Sequence, residues 1–470
     1  MCSQSLNTGL DALDLHGDGV GHVGDEGDSH ISYSDIFAKE YIEKAIISRR
    51  NCITRPHALS NIGPMQVDIK PEGDFFIDPS SFRINANFKI QKKVGGNGAL
   101  VDLAAGDAGR VAPINMFTKA LFSDIDIYIQ TQKVSLVSTP AYPIKAFIET
   151  IGSYGQDAET GHLRCSYWVK DVPGEHETPG NNQAFADRHG FIAGSRTVCM
   201  CDPLHTELTT MDRLLPPGIE LKFFFSLNRP DLYLQNVAPG QNQENDTYHI
   251  IFSDFYLTYD RVSLDPALLN NIEKRLAKME NAIFPITRGI VKTRNIPAQE
   301  HNVLWQNLYT GQLPETVIIG MMDTRAFNGA IRQNYFNFQH FSMESISLRV
   351  NSQAIPSVPI TTDFNNAEAI RAYRHFFDNI GVDITNSPSL VKYGDFLAGT
   401  TLIPFDLTPD KCATEHNHKK QTGMIEVDIR FRGALANCVT LFAFCVFNDK
   451  FLITGPRINR EVTINPNLVV

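Results

Sequence analysis

Apolar residues recur at every second position over long stretches of this chain, and that period constrains its fold more than any other feature. In residues 81–92, Phe82, Ile84, Ala86, Phe88 and Ile90 alternate with Arg83, Asn85, Asn87, Lys89 and Gln91. Successive side chains of a strand point to opposite faces, so such a row puts one face in a core and the other in water. Ile125, Ile127 and Ile129 repeat the pattern in residues 124–130, and Ile219, Leu221, Phe223, Phe225 and Leu227 form another row. Residues 248–262 read as a long, aromatic-rich pair of strands. The chain is predicted to be all-β. Its 25 Pro and 32 Gly suit a turn-rich β architecture. Thirty Phe against two Trp point to large interlocking apolar surfaces that need no polar handle for each ring.

Helical spacing interrupts the strands in a few places. Ile144, Phe147, Ile148 and Ile151 follow the i, i+3, i+4, i+7 rule behind Pro143, which stands in the first turn where a missing N–H does no harm. A second helix is predicted from Pro266 to about Met279, with Asp265 as N-cap and Leu268, Leu269, Ile272, Leu276 and Met279 as its apolar stripe. It reads as a linker helix. Beyond it the same order of signals returns. Ile346, Leu348 and Val350 alternate in residues 345–351; a helix over 367–380 carries Ile370, Tyr373, Phe377 and Ile380, with Gly381 placed to cap it. Ile425, Val427, Ile429 and Phe431 then alternate with Glu426, Asp428, Arg430 and Arg432. The run 439–447 is apolar on both faces and is predicted to be buried on both.

The two halves therefore share an order of strand, helix, long stretch, amphipathic strand and apolar strand. Two related all-β units with helices in their loops predict a tandem double jelly roll, two eight-stranded antiparallel β-sandwiches with short loop helices and a linker helix. The expected division is an acidic N-terminal arm with a short helix over 1–60, jelly rolls over 61–263 and 283–470, and the linker helix over 264–282. The first unit has longer insertions, at about 152–217 and 228–247, which are expected to be functional or to pack on a partner.

Charge sharpens the reading of the arm. The 470 residues carry a formal net charge of −10, of which residues 1–30, with five Asp, one Glu and no Lys or Arg, hold −6, leaving −4 for the rest. Such a Gly/Asp-rich segment is expected to be flexible. Downstream, Ile36, Phe37, Tyr41, Ile42 and Ala45 fall near helical spacing, with Arg49 and Arg50 after them. A short helix docked on its own domain is the simpler expectation, and an amphipathic arm touching a neighbour or a membrane surface is the alternative. No basic stripe or Arg–aromatic cluster marks a specific nucleic-acid binder. No apolar run approaches a membrane span, and the N-terminus lacks the layout of a signal peptide.

Candidate chemistry is sparse. His416-x-His418 is the best metal-like pair, but the cupin pattern fails around it, with Lys411 where a glycine would sit and Lys419, Lys420 and Gln421 where a Glu would follow. Polar loop histidines are the better reading. Cys199-x-Cys201 is too closely spaced for a zinc knuckle and is read as packing, and Cys438 and Cys445 as small buried hydrophobes. The eight cysteines are too scattered for a disulfide scaffold and are expected to be reduced thiols. Asp11, Asp14, Asp18, Asp25 and Asp28 do not match a calcium loop. No G-x-S-x-G, H-E-x-x-H, P-loop or dinucleotide fingerprint is present. The chain is expected not to be an enzyme, and no catalytic, cofactor or metal residue is nominated.

Particular strings carry a family resemblance. Residues 111–130, VAPINMFTKALFSDIDIYIQ, are followed by 142–155, YPIKAFIETIGSYG, and 163–171, LRCSYWVKD; later come 248–261, YHIIFSDFYLTYDR, and 337–351, NFQHFSMESISLRVN, with Ile355 and Pro356 just after. In this order and spacing, from about residue 40 onward, the chain resembles the double-jelly-roll major capsid proteins of Polinton (Maverick) elements and adintoviruses. The resemblance implies a wedge-shaped subunit, a pseudo-hexameric homotrimer tiling an icosahedral shell, and a virion location with assembly inside the host cell. It also implies a single-jelly-roll penton protein and a packaging ATPase as partners. The two-faced run 439–447 and the many Phe would then serve contacts between copies. The rival from another class is a tandem β-sandwich that binds carbohydrate or a receptor.

Overall fold

In the computed structural model, residues 37–94, 98–107, 110–135, 142–236, 247–366, 368–380, 389–409, 411 and 419–464 are described. Their strands, in chain order, are β1 (Ile46–Thr54), β2 (Met65–Ile69), β3 (Phe76–Lys93), β4 (Leu100–Asp102), β5 (Val111–Pro113), β6 (Phe122–Ile129), β7 (Gln132–Lys133), β8 (Val198–Pro203), β9 (Leu221–Leu227), β10 (Leu234–Asn236) and β11 (Thr247–Leu264). After the helix Pro266–Ala277 come β12 (Ala282–Ile296), β13 (Asn302–Gln312), β14 (Thr316–Asp323), β15 (Met343–Val350), β16 (Gln353–Thr361), β17 (Leu402–Asp406), β18 (Thr422–Phe431), β19 (Val439–Thr454) and β20 (Glu461–Ile464).

These strands build two antiparallel sandwiches with one topology. In the first, β1-β11-β3-β8 face β2-β9-β6-β7; in the second, β12-β19-β14-β17 face β13-β18-β15-β16. Numbering each set of eight from one, both units pair first–eighth–third–sixth and second–seventh–fourth–fifth. This order, with first and last strands paired at the centre of the wrap, is that of a jelly roll. Short β4 and β20 extend one sheet of each unit, and β5 and β10 form a two-stranded ribbon.

The alternating rows sit as their period requires. Phe82, Ile84, Ala86, Phe88 and Ile90 on β3 are all 2% exposed or less, as are Ile125, Ile127 and Ile129 on β6. Phe82 packs on Phe223 of β9 across the sandwich, with ring centroids 5.1 Å apart, so the two inward rows meet in one core. The aromatic stretch 248–262 differs from expectation: β11 is one continuous strand, paired with β1 on one edge and β3 on the other. Bulges at Phe252/Asp254 and Thr258/Asp260 let its long row of rings follow the twist without a turn.

In the N-terminal arm the helical spacing yields a four-residue helix, Lys39–Ile42, and one further 3-10 turn, Glu43–Ala45, before the chain enters β1. Strand pairing with β11 and the Arg49 bridges to Asp78 and Asp260 (2.7 and 3.2 Å) outweigh further helix there. Residues 1–36, with the acidic run Asp11 to Asp28, lie outside the described residues, as do Gly381, His416 and His418. The helix predicted at 367–380 spans Ile370–Ile380, but it buries Ala372, Phe376 and Asn379 and leaves Ile370 61% exposed.

Three cysteine readings change. Cys199 and Cys201 are exposed, because the strand period turns Val198, Met200 and Asp202 of β8 inward. Cys438 is exposed just before β19, whereas Cys445 is buried as expected, its thiol pushed up to about 12 by burial.

Candidate functional site: the seam between the sandwiches

The helix Tyr142–Ser153 explains how the units meet. Nine of its twelve residues are buried, too many for a helix with one face on a core. Tyr142 packs against Phe122 of β6 (6.5 Å), while Phe147 stacks on Phe336 at 4.8 Å and lies 5.3 Å from Phe338, both beyond the linker helix. Phe338 in turn packs on Phe442 of β19 at 5.3 Å. The helix is therefore gripped between the two sandwiches.

That contact accounts for the two-faced strand. Phe447 of β19 meets Tyr309 of β13 inside the second sandwich, at 5.1 Å. Phe442 and Phe444, at positions of the opposite parity, face the seam, where Phe444, Gly289 and Val291 share a cavity with Asp124, Tyr142, Lys145 and His205. The second apolar face of residues 439–447 is thus covered within the chain rather than offered to another copy. Gly289 and Gly320 make room for it: a Cβ on either would meet a ring atom of Phe444 or Phe442 at 2.5 or 2.4 Å.

The insertion 152–217 supplies the polar half of the seam. Arg188, wholly buried, bonds Asp171 at 2.5 Å and donates to the carbonyls of Pro113 and Val169 at 2.7 Å each. Asp171 also accepts from Asn182 (2.7 Å) and, across the seam, from Asn334 (3.1 Å). Burial alone would raise the Asp171 carboxyl, but the Arg188 charge and these hydrogen bonds hold it below the usual carboxylate range. Lys170 reaches across to the Asp395 carboxylate and to the Leu390 carbonyl (2.6 Å), and the Gly174 N–H donates to Ala398 at 3.0 Å. Against Ala398, Gly399 has φ +121° and lies under the His176 imidazole.

Beside the Phe147 stack is a buried ionic cluster. Lys145 bridges Glu207 at 2.9 Å and Glu149 at 3.9 Å, and His205 meets Glu149 at 2.9 Å. Deeper, Lys119 lies 3.2 Å from Asp202, which also takes the hydroxyls of Thr118 and Ser166. At Asp124 burial and the neighbouring Asp126 charge outweigh the pull of Lys133 and push the carboxyl up to about 6.

A third contact closes the far end. Arg460, 5% exposed, chelates Glu273 of the linker helix at 2.6 and 2.7 Å and donates to the Pro217 carbonyl. Arg457 reaches Asp74 and the Gly73 carbonyl, and its own carbonyl would lie 2.4 Å from a Cβ on Gly218. At the entrance of the chain, Phe37 packs on Phe284 (5.2 Å), and Arg213 donates to Ile283 (2.8 Å).

This is a mechanical site, since it fixes the angle between two sandwiches by aromatic stacking and matched charge. Arg188, Asp171, Lys170 and Asp395 were missed as site residues in the sequence: Lys170 and Asp171 close the string 163–171, which pointed only to the family resemblance, and Arg188 and Asp395 lie in stretches without periodicity. The all-buried helix and the two-faced strand were the available signals. Among the described residues no group of three or more His, Cys, Asp or Glu is placed to hold a metal ion, and no helix is long and apolar enough to cross a membrane.

Two sandwiches of this strand order, welded along one seam, are a double jelly roll. The comparison with solved structures agrees. A chain of the Sputnik virophage structure aligns with a TM-score of 0.59 at 10% identity, covering 99% of this chain and 95% of that one. The mavirus major capsid protein aligns at 0.52 and 11% identity over 98% of this chain and 96% of its own, and the Faustovirus major capsid protein at 0.51 and 8% over 86% and 90%. At these identities the likeness is one of fold. An uncharacterized protein of Caenorhabditis elegans is 23% identical over 319 residues, 67% of this chain and 73% of that protein. No protein-family model matches the chain.

Proposed function

We propose that this chain is a viral-type major capsid protein, a structural subunit and not an enzyme, which forms pseudo-hexameric homotrimers that tile an icosahedral shell. The observation that supports the reading is the likeness in fold, over 86–99% of this chain, to a chain of the Sputnik virophage structure and to the mavirus and Faustovirus major capsid proteins. The seam supports it physically. A lattice subunit must present its two sandwiches at one fixed angle, and the contact of Phe147, Arg188, Lys170 and Arg460 with their partners supplies that rigidity.

Surfaces for neighbours remain after the seam is closed. Ile47 and Ile53 on β1 and Val358 on β16 are between 57% and 63% exposed, and both strands end their sheets. Single exposed apolar side chains are ordinary, but on sheet edges they suit contacts between copies. The finer assignment is to the group of Polinton elements and adintoviruses, with the virion capsid as location, assembly inside the host cell and a single-jelly-roll penton protein as partner. In this reading the sandwiches are the two lattice-forming units, joined through residues 264–282.

Size-exclusion chromatography with light scattering on purified full-length protein tests the proposal, together with electron microscopy of the peak. Trimers of the 52.5 kDa chain, or closed shells, are expected. A monomer at every concentration and ionic strength would overturn the capsid reading in favour of a tandem β-sandwich binding protein.

A further inference from the structure

Beside the Arg188–Asp171 pair, the seam encloses a cavity with its own polar chemistry. Phe147, Phe336 and Val391 are among its apolar walls, and its polar lining includes Lys170, Asp171 and Asp395 beside Thr400, Trp168 and His176. Its envelope is about 420 Å³, part of it opening to solvent, and the interior has room for about one or two water molecules. Trp168 is 3% exposed and His176 8%. Among the described residues neither the Trp168 indole Nε1 nor the His176 Nδ1 has a hydrogen-bond partner, although both are fully buried atoms. Buried polar atoms without partners are rare enough to need an explanation.

The surrounding charges narrow what can answer them. Lys170 is matched by Asp395 and the Leu390 carbonyl, and Asp171 by Arg188, Asn182 and Asn334. An ion would enter a site whose charges are already paired, so a neutral ligand fits. An indole N–H can only donate, whereas a neutral imidazole Nδ1 accepts in one tautomer and donates in the other. Burial keeps His176 on the neutral side. Water is the small neutral molecule that accepts from the one and serves the other in either tautomer.

We propose that this cavity is a hydration site built into the seam, where one water or a chain of two accepts from Trp168 Nε1 and bonds His176 Nδ1. The bound water then stands against Thr400 and Val391 of the second sandwich and extends the polar contact between the units.

A crystal or cryo-EM structure of the full-length protein, at a resolution that shows ordered solvent, tests this directly. Density within hydrogen-bond distance of both nitrogens is expected. A dry cavity, or Trp168 Nε1 bonded to a protein acceptor, would overturn it. Melting temperatures of Trp168→Phe, His176→Leu and the double variant give a second test. Bridged residues should show non-additive losses, the double variant losing clearly less than the sum, whereas simple additivity counts against a shared water. If a variant fails to fold, the solvent density decides alone.

Discussion

The Arg188 guanidinium and the Asp171 carboxylate meet at 2.5 Å with both side chains almost completely shielded from water, and Asn334 joins them from the second sandwich. A buried pair of this kind contributes little over an apolar substitute, but breaking it strands a charge. Arg188→Met should therefore destabilise the protein by about 3–5 kcal/mol. Asp171→Asn should cost at least as much, because the Asp171 oxygens accept only from donors, Arg188, Asn182 and Asn334, so an amide nitrogen there faces a donor, and Arg188 cannot shed its buried charge. Denaturant unfolding of the two variants checks the order. Equal stability of Arg188→Met and the parent would show that the pair is not what holds the insertion in place.

Phe147 is the aromatic pivot of the seam, stacked on Phe336 and close to Phe338 and Trp168. Phe147→Ala should cost about 3–5 kcal/mol through lost burial and the cavity left behind. Because the loss falls on the contact between units, calorimetry should show the single transition broadening or splitting as the sandwiches uncouple. A uniform downward shift with one sharp transition would place the loss within the first sandwich alone.

Gly399 carries a structural requirement in both backbone and space. Its φ is +121°, and a Cβ there would lie 2.0 Å from a ring carbon of His176. Gly399→Ala should lower stability by about 1–3 kcal/mol. His176→Ala combined with it should recover only part of the loss, since the backbone strain remains. Full recovery would mean that the steric contact acts alone.

Asp124 gives the seam a pH dependence of a definite sign. Its carboxyl is raised from an ordinary 3.8 to about 6, so the folded state binds the proton more tightly than the unfolded chain. The stabilising contribution is complete below pH 3.8 and is lost as pH rises through about 6. Asp171 and Glu149, held low, act in the opposite direction and lose their contributions as pH falls through their depressed values. Asp124→Asn should thus gain stability relative to the parent between about pH 4 and 7. Urea titrations across that range measure the difference, and a constant offset would show that Asp124 does not titrate there.

Much of the fold was legible because its signals are local. The inward rows of β3, β6, β9 and β18 follow from a two-residue period, and Asp265 does cap the Pro266–Ala277 helix, accepting from the Ala267 N–H at 2.8 Å. The readings that failed depend on surroundings. Cys438 falls just before a buried strand, and Ile370 stands exposed at the start of a helix whose Tyr373, Phe377 and Ile380 do pack against the core. The Ile46–Thr54 stretch follows a helix-like segment yet becomes a strand because β11 offers it a long edge.

The tandem jelly-roll architecture was determined by the sequence itself, since the order of periods along the chain specifies which faces are apolar and which elements follow one another. What covers those faces was decided only by the tertiary structure. The second face of residues 439–447 could have met another copy, and it meets Phe338 and the helix Tyr142–Ser153 instead. Arg188 and Asp171 lie 17 residues apart in unpatterned sequence and find Asn334 more than a hundred residues away. Periodicity encodes burial of one side of one element. The partner on the other side is chosen by docking between distant segments, for which no local spacing exists.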